Sequence, residues 1–315
     1  MSGNRPLISI LMPAYNHERF VQEAIRSIIN QTYQNLELII IDDGSTDSTW
    51  AKIQEMKADC EKRFVRADFS TQENQGICET ENKLISKTQG EYIYMIASDD
   101  IAKPQAIETL HKSLSEKKYV LAVGNEDFID SNSEKIGIDE KFQHQSLVNA
   151  KYKTFCDYYS GEAGINYKSK NFGCYASFLK RNYIPNGLLI LSSALKQFKY
   201  NAEAPLEDWY MHMQLSKIGR YKFVDEVLFS YRLHRNNTIE DKQYLWKMSQ
   251  KTIEYEERLS LSNPKLRKLF IQATISKIYL NLGFIQIYKR KFFGKKSYCL
   301  NLFGKEFILK EKNIP

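Results

Sequence analysis

Short apolar runs alternate with stretches of helical periodicity along the first part of this chain. Leu7–Met12, Leu36–Ile41 and Tyr92–Ala97 are mostly apolar, which is typical of strands buried on both faces of a sheet. Apolar residues then recur at helical spacing between Glu18 and Gln31, and weaker strands are predicted around 64–67 and 119–123. Strands that alternate with helices in this way predict an α/β fold with a doubly wound, mostly parallel sheet.

The periodicity is less regular in the second half of the chain. Residues 130–185 are polar and rich in tyrosine and lysine, and we expect short helices and mobile loops there. Leu188–Leu191 predicts a strand, and Pro205–Trp209 predicts the start of a helix that reaches about Lys217. Beyond Ile239 apolar residues recur at helical spacing, so we expect a helical C-terminal region.

Carboxylates follow the apolar runs directly. Asp99 and Asp100 end the run that begins at Tyr92, and Asp43 ends the second strand. A buried sheet rejects unpaired charge, so these residues must lie beyond the carboxyl ends of the strands, where ligands bind in open α/β sheets. Adjacent carboxylates at that edge suit Mg²⁺ or Mn²⁺, which can hold a diphosphate. The alternative is a turn that caps the helix near Pro104.

Cysteine content and charge restrict the class of protein. The five cysteines are odd in number, scattered and without a CxxC pair, which argues against a disulfide framework and a zinc site. We find no signal-peptide core or membrane-length apolar stretch and expect a cytoplasmic protein. The net charge of +7 is uneven, because residues 239–315 hold 16 basic and 7 acidic side chains and the remainder is slightly acidic.

Several segments taken together resemble the family 2 glycosyltransferases, which have the GT-A fold. The segments are PLISILMPAYNHERFVQEAIRSIINQTYQNLELIIIDDGSTDST, NQG, GEYIYMIASDD, LEDWYMHMQLSKIG and YRLHRNN, in order over roughly residues 6–238. The resemblance implies a catalytic domain over 1–238, with a nucleotide-sugar half to about 128 and an acceptor half from 129. Residues 239–315 form the basic C-terminal extension. It further implies an inverting, Mn²⁺- or Mg²⁺-dependent transfer of a sugar from a nucleoside diphosphate sugar to an acceptor hydroxyl.

The resemblance assigns the donor site to the first half of the chain. Asp43 is expected to accept a hydrogen bond from the imide N–H of uracil, with Pro13 and Tyr15 walling the base. Asp99 and Asp100 match the acidic metal motif of the family. This chain has Ala97 where many relatives have the first aspartate of that motif, so contact with the ribose falls to Asp99.

A second departure from the family lies in the helix after NQG. Many relatives carry an arginine there that faces the diphosphate, whereas this chain has Glu81-Asn82. Phosphate binding by this helix is therefore in doubt.

The resemblance assigns the acceptor side and a metal ligand to later segments. Asp208 is expected to be the general base, because a sugar hydroxyl is too weakly acidic to ionise at neutral pH. Glu207 and Trp209 are expected to contact the acceptor or, alternatively, to favour the helix N-terminus and to pack in the core. His234 is expected to bind the metal, and Arg232 and Arg235 the diphosphate.

The basic C-terminal region suggests a site of action. Lysines and arginines interleaved with phenylalanine, as in the segment 289–296, suit an anionic membrane surface. A helix packed on the catalytic domain is the alternative, and no motif favours nucleic acid. We expect a peripheral enzyme at the inner face of a bacterial membrane that extends a surface glycan or a lipid-linked acceptor. One alternative is a nucleotidyltransferase, but that chemistry needs a Gly-rich, basic loop after the first strand, and this sequence has none there. Another is a non-catalytic sugar-nucleotide-binding or assembly protein.

Overall fold

A computed structural model describes residues 5–114, 118–235, 237, 241–281, 285–293, 295–302 and 305–313. Its helices are α1 (Val21–Ile29), α2 (Thr49–Glu55), α3 (Lys57–Arg63), α4 (Ile77–Ser86), α5 (Ala106–Ser113), α6 (Phe155–Ala163), α7 (Tyr175–Phe178), α8 (Ser192–Leu195), α9 (Glu207–Leu215), α10 (Lys242–Ser262) and α11 (Pro264–Thr274). Its strands are β1 (Ile8–Ala14), β2 (Leu36–Asp42), β3 (Arg66–Thr71), β4 (Tyr92–Met95), β5 (Ile101–Ala102), β6 (Tyr119–Ile129), β7 (Lys135–Ile138), β8 (His144–Gln145), β9 (Leu188–Leu191), β10 (Arg220–Arg232), β11 (Ile275–Asn281), β12 (Ile285–Phe292), β13 (Lys295–Leu302) and β14 (Lys305–Asn313).

A large central sheet organises the molecule. Its strands follow the order β3-β2-β1-β4-β9-β6-β10-β5, with β7 and β8 attached beyond β6. The four strands on the β3 side run parallel, and β6 and β10 are parallel to each other. The strand β9 runs antiparallel to both β4 and β6, so it joins the two parallel parts. The predicted α/β class with a mostly parallel sheet is confirmed.

The apolar runs are nearly continuous because the sheet is buried on both faces. In β1, Ile8, Ile10 and Met12 pack in one hydrophobic core, and Leu11 packs in the core on the opposite face. Helices α1 and α5 contribute to the first core, and α4, α7 and α9 contribute to the second. Since successive side chains of a strand point to opposite faces, a run with few polar residues is what this arrangement requires.

The C-terminal region is only partly helical, and the prediction of a wholly helical region was wrong. Helices α10 and α11 cover residues 242–274, but β11 to β14 then form an antiparallel four-stranded sheet. In β12 the buried residues are Tyr288, Arg290 and Phe292. They recur every second residue, which is the period of a strand rather than of a helix. The predicted domain boundary between residues 238 and 239 falls outside the described residues.

Buried polar contacts join the C-terminal region to the part of the chain that forms the central sheet. The fully buried Glu256 of α10 accepts hydrogen bonds from the Tyr175 hydroxyl and from Gln214 Nε2, the latter at 2.8 Å. Lys217 Nζ lies 2.7 Å from the same carboxylate. Because a buried carboxylate needs such partners, α10 is fixed against α7 and α9 rather than free of them.

Candidate active site

A cluster of three side chains, His17, Asp99 and His234, lies at the carboxyl edge of the central sheet and is called the His–Asp cluster below. His17 follows β1, Asp99 follows β4 and His234 follows β10. His234 Nε2 lies 2.9 Å from Asp99 Oδ2, and His17 Nε2 lies 3.7 Å from the same oxygen. One potential ligand atom from each of the three residues lies within 4.8 Å of the other two. The sheet therefore brings together residues that are far apart in sequence, since His17 and His234 are separated by 217 positions.

The surroundings of the cluster fix both imidazole rings. His17 Nδ1 lies 2.8 Å from the Ser98 hydroxyl oxygen, which leaves Nε2 to face Asp99. The ring of His234 stacks on Phe20 at a centroid distance of 5.0 Å. A metal-binding histidine commonly hydrogen-bonds through its other nitrogen, and this contact orients the ring. The arrangement around His17 has that form.

The protonation states of the cluster suit metal binding. Burial lowers the pKa of His17, although the charge of Asp99 opposes this shift. Burial works against ionisation of Asp99, but the hydrogen bond with His234 and the charge of His17 lower its pKa overall. Neutral imidazoles and an ionised carboxylate are the forms that bind metal. One carboxylate oxygen with two imidazole nitrogens suits Mn²⁺ better than Mg²⁺, which prefers oxygen ligands.

Asp100 was predicted to share the metal with Asp99, but the structure places it elsewhere. Its Oδ1 accepts a hydrogen bond of 2.8 Å from the backbone N–H of Arg232. Burial and the charge of Asp99 raise the pKa of Asp100 well above its usual value. Asp100 therefore connects the loop after β4 to β10, and the cluster contains only the first residue of the predicted acidic pair.

Arg232 was predicted to contact the diphosphate, but its side chain is directed into the protein. Its side chain is fully buried, and it donates to the carbonyl oxygens of Asp99 and Asp130 at 2.6 and 2.9 Å. It further donates to Glu23 at 2.6 Å, and its guanidinium lies 4.8 Å from the ring centroid of Phe20. With its donors directed at protein acceptors, Arg232 stabilises the segment that carries His234.

Arg235 lies on the accessible side of the same segment. It borders a cavity of about 470 Å³ together with Asn16, His17, Arg19 and His234. Arg235 is thus the member of the predicted arginine pair that remains available to an anion beside the His–Asp cluster.

The residues predicted to hold the nucleotide lie at the ends of β1 and β2. Pro13 is within β1, and Tyr15 just after it is 46% exposed. The buried Asp43 carboxylate accepts backbone hydrogen bonds of 2.9 Å from Gln75 and Gly76. Asp43 therefore fixes the loop that precedes α4, in addition to any contact with a ligand.

Asp208 lies in the wall of a second, larger space of about 680 Å³, called the large cavity below. Its carboxylate accepts hydrogen bonds of 2.7 Å from Asn182 Nδ2 and 2.6 Å from the backbone N–H of Trp209. Its side chain is exposed to the cavity, while the surrounding protein reduces its contact with solvent on the other sides. This desolvation raises the pKa of Asp208 above that of an ordinary aspartate, as burial does for catalytic carboxylates.

Strand β10 links the wall of the large cavity to the segment that carries the His–Asp cluster. Tyr231 near its end lines the cavity, and burial raises the pKa of this tyrosine. The next residue, Arg232, donates its backbone N–H to Asp100, which is the neighbour of Asp99 in the chain. The end of β10 therefore lies between the cluster and the cavity wall.

Glu207 and Trp209 flank Asp208 in different surroundings. Burial and the charge of Asp208 raise the pKa of Glu207 to about 8, with a further contribution from Glu81 of α4. Trp209 is 5% exposed and donates its indole N–H to the Phe178 carbonyl at 2.7 Å. Trp209 is therefore mainly a core residue whose edge reaches the cavity.

Some residues of the site were not predicted from the sequence. His17 was missed, although its place directly after the first strand is the signal that could have identified it. Asn182, Lys141, Lys180 and Arg181 were missed because they lie in the stretch 130–185, where the sequence shows no regular pattern. Tyr231 was missed although it begins the YRLHRNN segment. The C-terminal region also contributes to the wall, through Lys242, Leu245, Trp246 and Ser249 of α10 and through Phe293.

Comparisons with known proteins identify the class of this fold and site. A mannosyltransferase from Pyrobaculum calidifontis in complex with GDP-Man and Mn²⁺ matches with a TM-score of 0.56 at 14% identity, over 86% of this chain and 74% of that one. S. aureus TarS in complex with UDP-GlcNAc matches with a TM-score of 0.53 at 12% identity, over 84% of this chain and 72% of that one. The fold is therefore the GT-A fold of glycosyltransferases.

Sequence comparison identifies the family. The model of glycosyl transferase family 2 matches residues 9–183. An uncharacterized glycosyltransferase of Haemophilus influenzae is 31% identical over 238 residues, which are 75% of this chain and 68% of that protein. Other curated relatives are matched over about half of their length or less. The chain belongs to the family 2 glycosyltransferases and is an enzyme of glycosyl transfer, as the sequence motifs indicated.

Within the described residues, none of the helices combines the length and the apolar character needed to cross a membrane.

Proposed function

We propose that this glycosyltransferase moves a hexosyl or N-acetylhexosaminyl group from a uridine diphosphate sugar to a hydroxyl of a glycan or lipid-linked acceptor, with inversion. The reaction uses Mn²⁺ or Mg²⁺ and extends a cell-surface polysaccharide. The observation that carries this proposal is the meeting of Asp99 with two histidine nitrogens at the carboxyl edge of the sheet, with Asp208 in the wall of a separate cavity.

The donor half of the proposal rests on the sheet edge. Asp99, His234 and His17 would hold the cation, and Arg235 lies beside them for a phosphate oxygen. When bound, the cation would supply Lewis-acid stabilisation for the charge that develops on the departing nucleoside diphosphate. The two imidazoles favour Mn²⁺. The two structural neighbours, solved in complex with UDP-GlcNAc and with GDP-Man, support a nucleotide sugar as the donor.

The assignment of uridine rests on Asp43. Its Oδ2 accepts one backbone hydrogen bond, from Gly76, and a carboxylate oxygen can accept a second. The imide N–H of uracil would fill that remaining position. Pro13 and the half-exposed Tyr15 would lie along the faces of the base.

The acceptor half rests on Asp208. Its carboxylate removes the proton of the acceptor hydroxyl as the new bond to the anomeric carbon forms, and Asn182 holds it in place. Inversion requires the base and the leaving diphosphate on opposite sides of that carbon. The location of Asp208 in the large cavity, apart from the His–Asp cluster, supports this arrangement.

Membrane association stays a proposal that rests on the charge of the C-terminal region. Residues 289–296 carry five basic side chains on a separate small sheet, and four of them are at least partly exposed, whereas Arg290 is buried beside Glu257. Such a surface would bring the enzyme to an anionic membrane that carries its acceptor.

The substitution Asp208→Asn tests the proposal. It keeps the shape of the side chain and removes the base, so transfer should fall by about 10²- to 10⁴-fold while binding of the donor survives. Transfer by the unaltered enzyme should also fall on acidification through the raised pKa of Asp208, because only the ionised carboxylate accepts the proton. The measurements are release of UDP in the presence of acceptor and calorimetric titration with UDP and Mn²⁺.

Asp157→Asn is the matched control, since Asp157 is an exposed aspartate in the first turn of α6. Transfer by this variant should equal that of the unaltered enzyme. An unchanged transfer rate in Asp208→Asn would remove Asp208 from the mechanism.

A further inference from the structure

The wall of the large cavity carries an excess of positive charge. Its cationic residues are Lys141, Lys180, Arg181 and Lys242, and its acidic residues are Glu126 and Asp208. The four cations come from three separate segments: the loop after β7, the segment after α7 and the first residue of α10. Their convergence on one cavity is a property of the fold and cannot be seen as a charge run in the sequence.

Among the described residues, no ion pair within 4 Å involves Lys141, Lys180, Arg181 or Lys242, whereas the neighbouring Lys151 pairs with Glu162 at 2.9 Å. The acidic residues of the wall are fewer than its cations. Burial also raises the pKa of Glu126 to about 8, which disfavours its charged form. With four cationic side chains against two carboxyl groups, the wall of the cavity has a net positive charge.

Aromatic side chains lie among the cations. Trp246 of α10 is 56% exposed, and its ring stacks on Phe293 at a centroid distance of 5.4 Å and an angle of 22°. Tyr158 and Tyr159 line the same cavity. An accessible aromatic face supplies an apolar contact surface for a sugar ring, and the neighbouring cations supply contacts for substituents on it. The wall thus has features suited to a charged carbohydrate.

We propose that the large cavity binds an acceptor glycan that carries negative charge, as phosphate or carboxylate groups, beside the hydroxyl that Asp208 deprotonates. This inference rests on the proposed function, because it names the substrate class for the same acceptor site. Arg181 offers a planar guanidinium for two oxygens of one anionic group, and Lys180 adds a second charge next to it. Trp246 and Lys242 make the C-terminal region part of acceptor recognition.

Binding of defined oligomers tests the inference. The probes are maltotetraose as a neutral glycan, tetragalacturonic acid as a carboxylated glycan and a glycerol phosphate oligomer as a phosphorylated polyol, each titrated calorimetrically at low salt. At least one anionic oligomer should bind about tenfold or more tightly than maltotetraose. The identity of the tighter oligomer distinguishes phosphate from carboxylate as the recognised group.

The double variant Lys180→Gln/Arg181→Gln should reduce this preference to within about twofold. Lys251→Gln is the control, since Lys251 is exposed on the same helix as Lys242 but does not line the cavity. Equal binding of neutral and anionic oligomers would overturn the inference, as would a double variant that keeps the preference. Displacement of the anionic oligomer by vesicles of anionic phospholipid would also overturn it, by assigning the cations to a lipid surface.

Titration with UDP and Mn²⁺ separates this inference from the proposed function. If UDP binds normally and the oligomers show no charge preference, only the inference about the acceptor fails. If the unaltered enzyme does not bind UDP with Mn²⁺, the proposed function fails whatever the oligomers do.

Discussion

The His–Asp cluster and the large cavity lie on either side of the end of β10, but the protein holds them in different ways. The cluster follows the ends of three strands, and its surroundings are buried: Arg232 fixes the backbone of Asp99, and Phe20 packs on His234. The cavity is walled mainly by loops, by α6, by the start of α9 and by side chains of α10. Under the proposed function, the rigid strand ends would serve the donor, and the wall of loops and helices would select the acceptor.

Substitution of Arg232 tests whether the surroundings of the His–Asp cluster are rigid, and we expect the largest effect here. In Arg232→Met the carbonyl oxygens of Asp99 and Asp130 and the carboxylate of Glu23 lose a donor, so the free energy of unfolding should fall by about 3 kcal/mol. Denaturant titration measures the change. The exposed Arg235 offers the control, and Arg235→Met should cost no more than about 0.5 kcal/mol. Equal effects of the two substitutions would show that Arg232 does not hold the sheet edge together.

His17 sharpens the assignment of the metal ligands. The variant His17→Ala should weaken binding of Mn²⁺ by about 10- to 100-fold, because it removes one of three converging ligand atoms. Electron paramagnetic resonance of free Mn²⁺ measures the affinity without any need for activity. His144→Ala is the control, since His144 is exposed in β8. If both variants bind Mn²⁺ like the unaltered enzyme, His17 is not a ligand.

Trp246 tests the other half of the comparison, the wall of the large cavity, and we expect the smallest effect on binding there. Removing its ring in Trp246→Ala should weaken binding of the tightest oligomer by about fivefold, as expected for one exposed aromatic contact. Binding of UDP should not change. Tyr244→Ala is matched to it, because Tyr244 is 54% exposed on the same helix but outside the cavity wall. A loss of UDP affinity in Trp246→Ala would contradict the separation of the two regions.

The fold of the catalytic part could be predicted because its pattern is local. Leu188–Leu191 was predicted as a strand and is β9 with the same bounds. The helix predicted from Pro205 to Lys217 is α9 (Glu207–Leu215). Strands buried on both faces appear in the sequence as runs of mostly apolar residues. Such a run can be identified from neighbouring positions alone, without knowing which strands pair with it.

The candidate site was predictable only where a motif stands at a strand end. Asp99 and His234 were both predicted and do meet, but Asp100 carries the same chemistry and faces Arg232 instead. Neighbouring side chains at a strand end point in different directions, and the sequence does not say which one faces the ligand. The cations of the large cavity come from three segments, so only the tertiary structure shows that they converge.

The C-terminal sheet was missed because two periodicities overlap. Ile271, Ile275 and Ile278 recur at helical spacing, yet the described chain is extended from Ile275 onward. The better signal was the sequence position of glycines at 283, 294 and 304, spaced 10 or 11 residues apart as in successive hairpins.

A crystal structure with UDP and Mn²⁺ tests the central claim most directly, through the anomalous scattering of manganese. The account predicts an anomalous peak bonded to Asp99 and His234, with the diphosphate of UDP on the cation and Asp208 across the cavity. Bound UDP with the manganese peak away from the His–Asp cluster would contradict it.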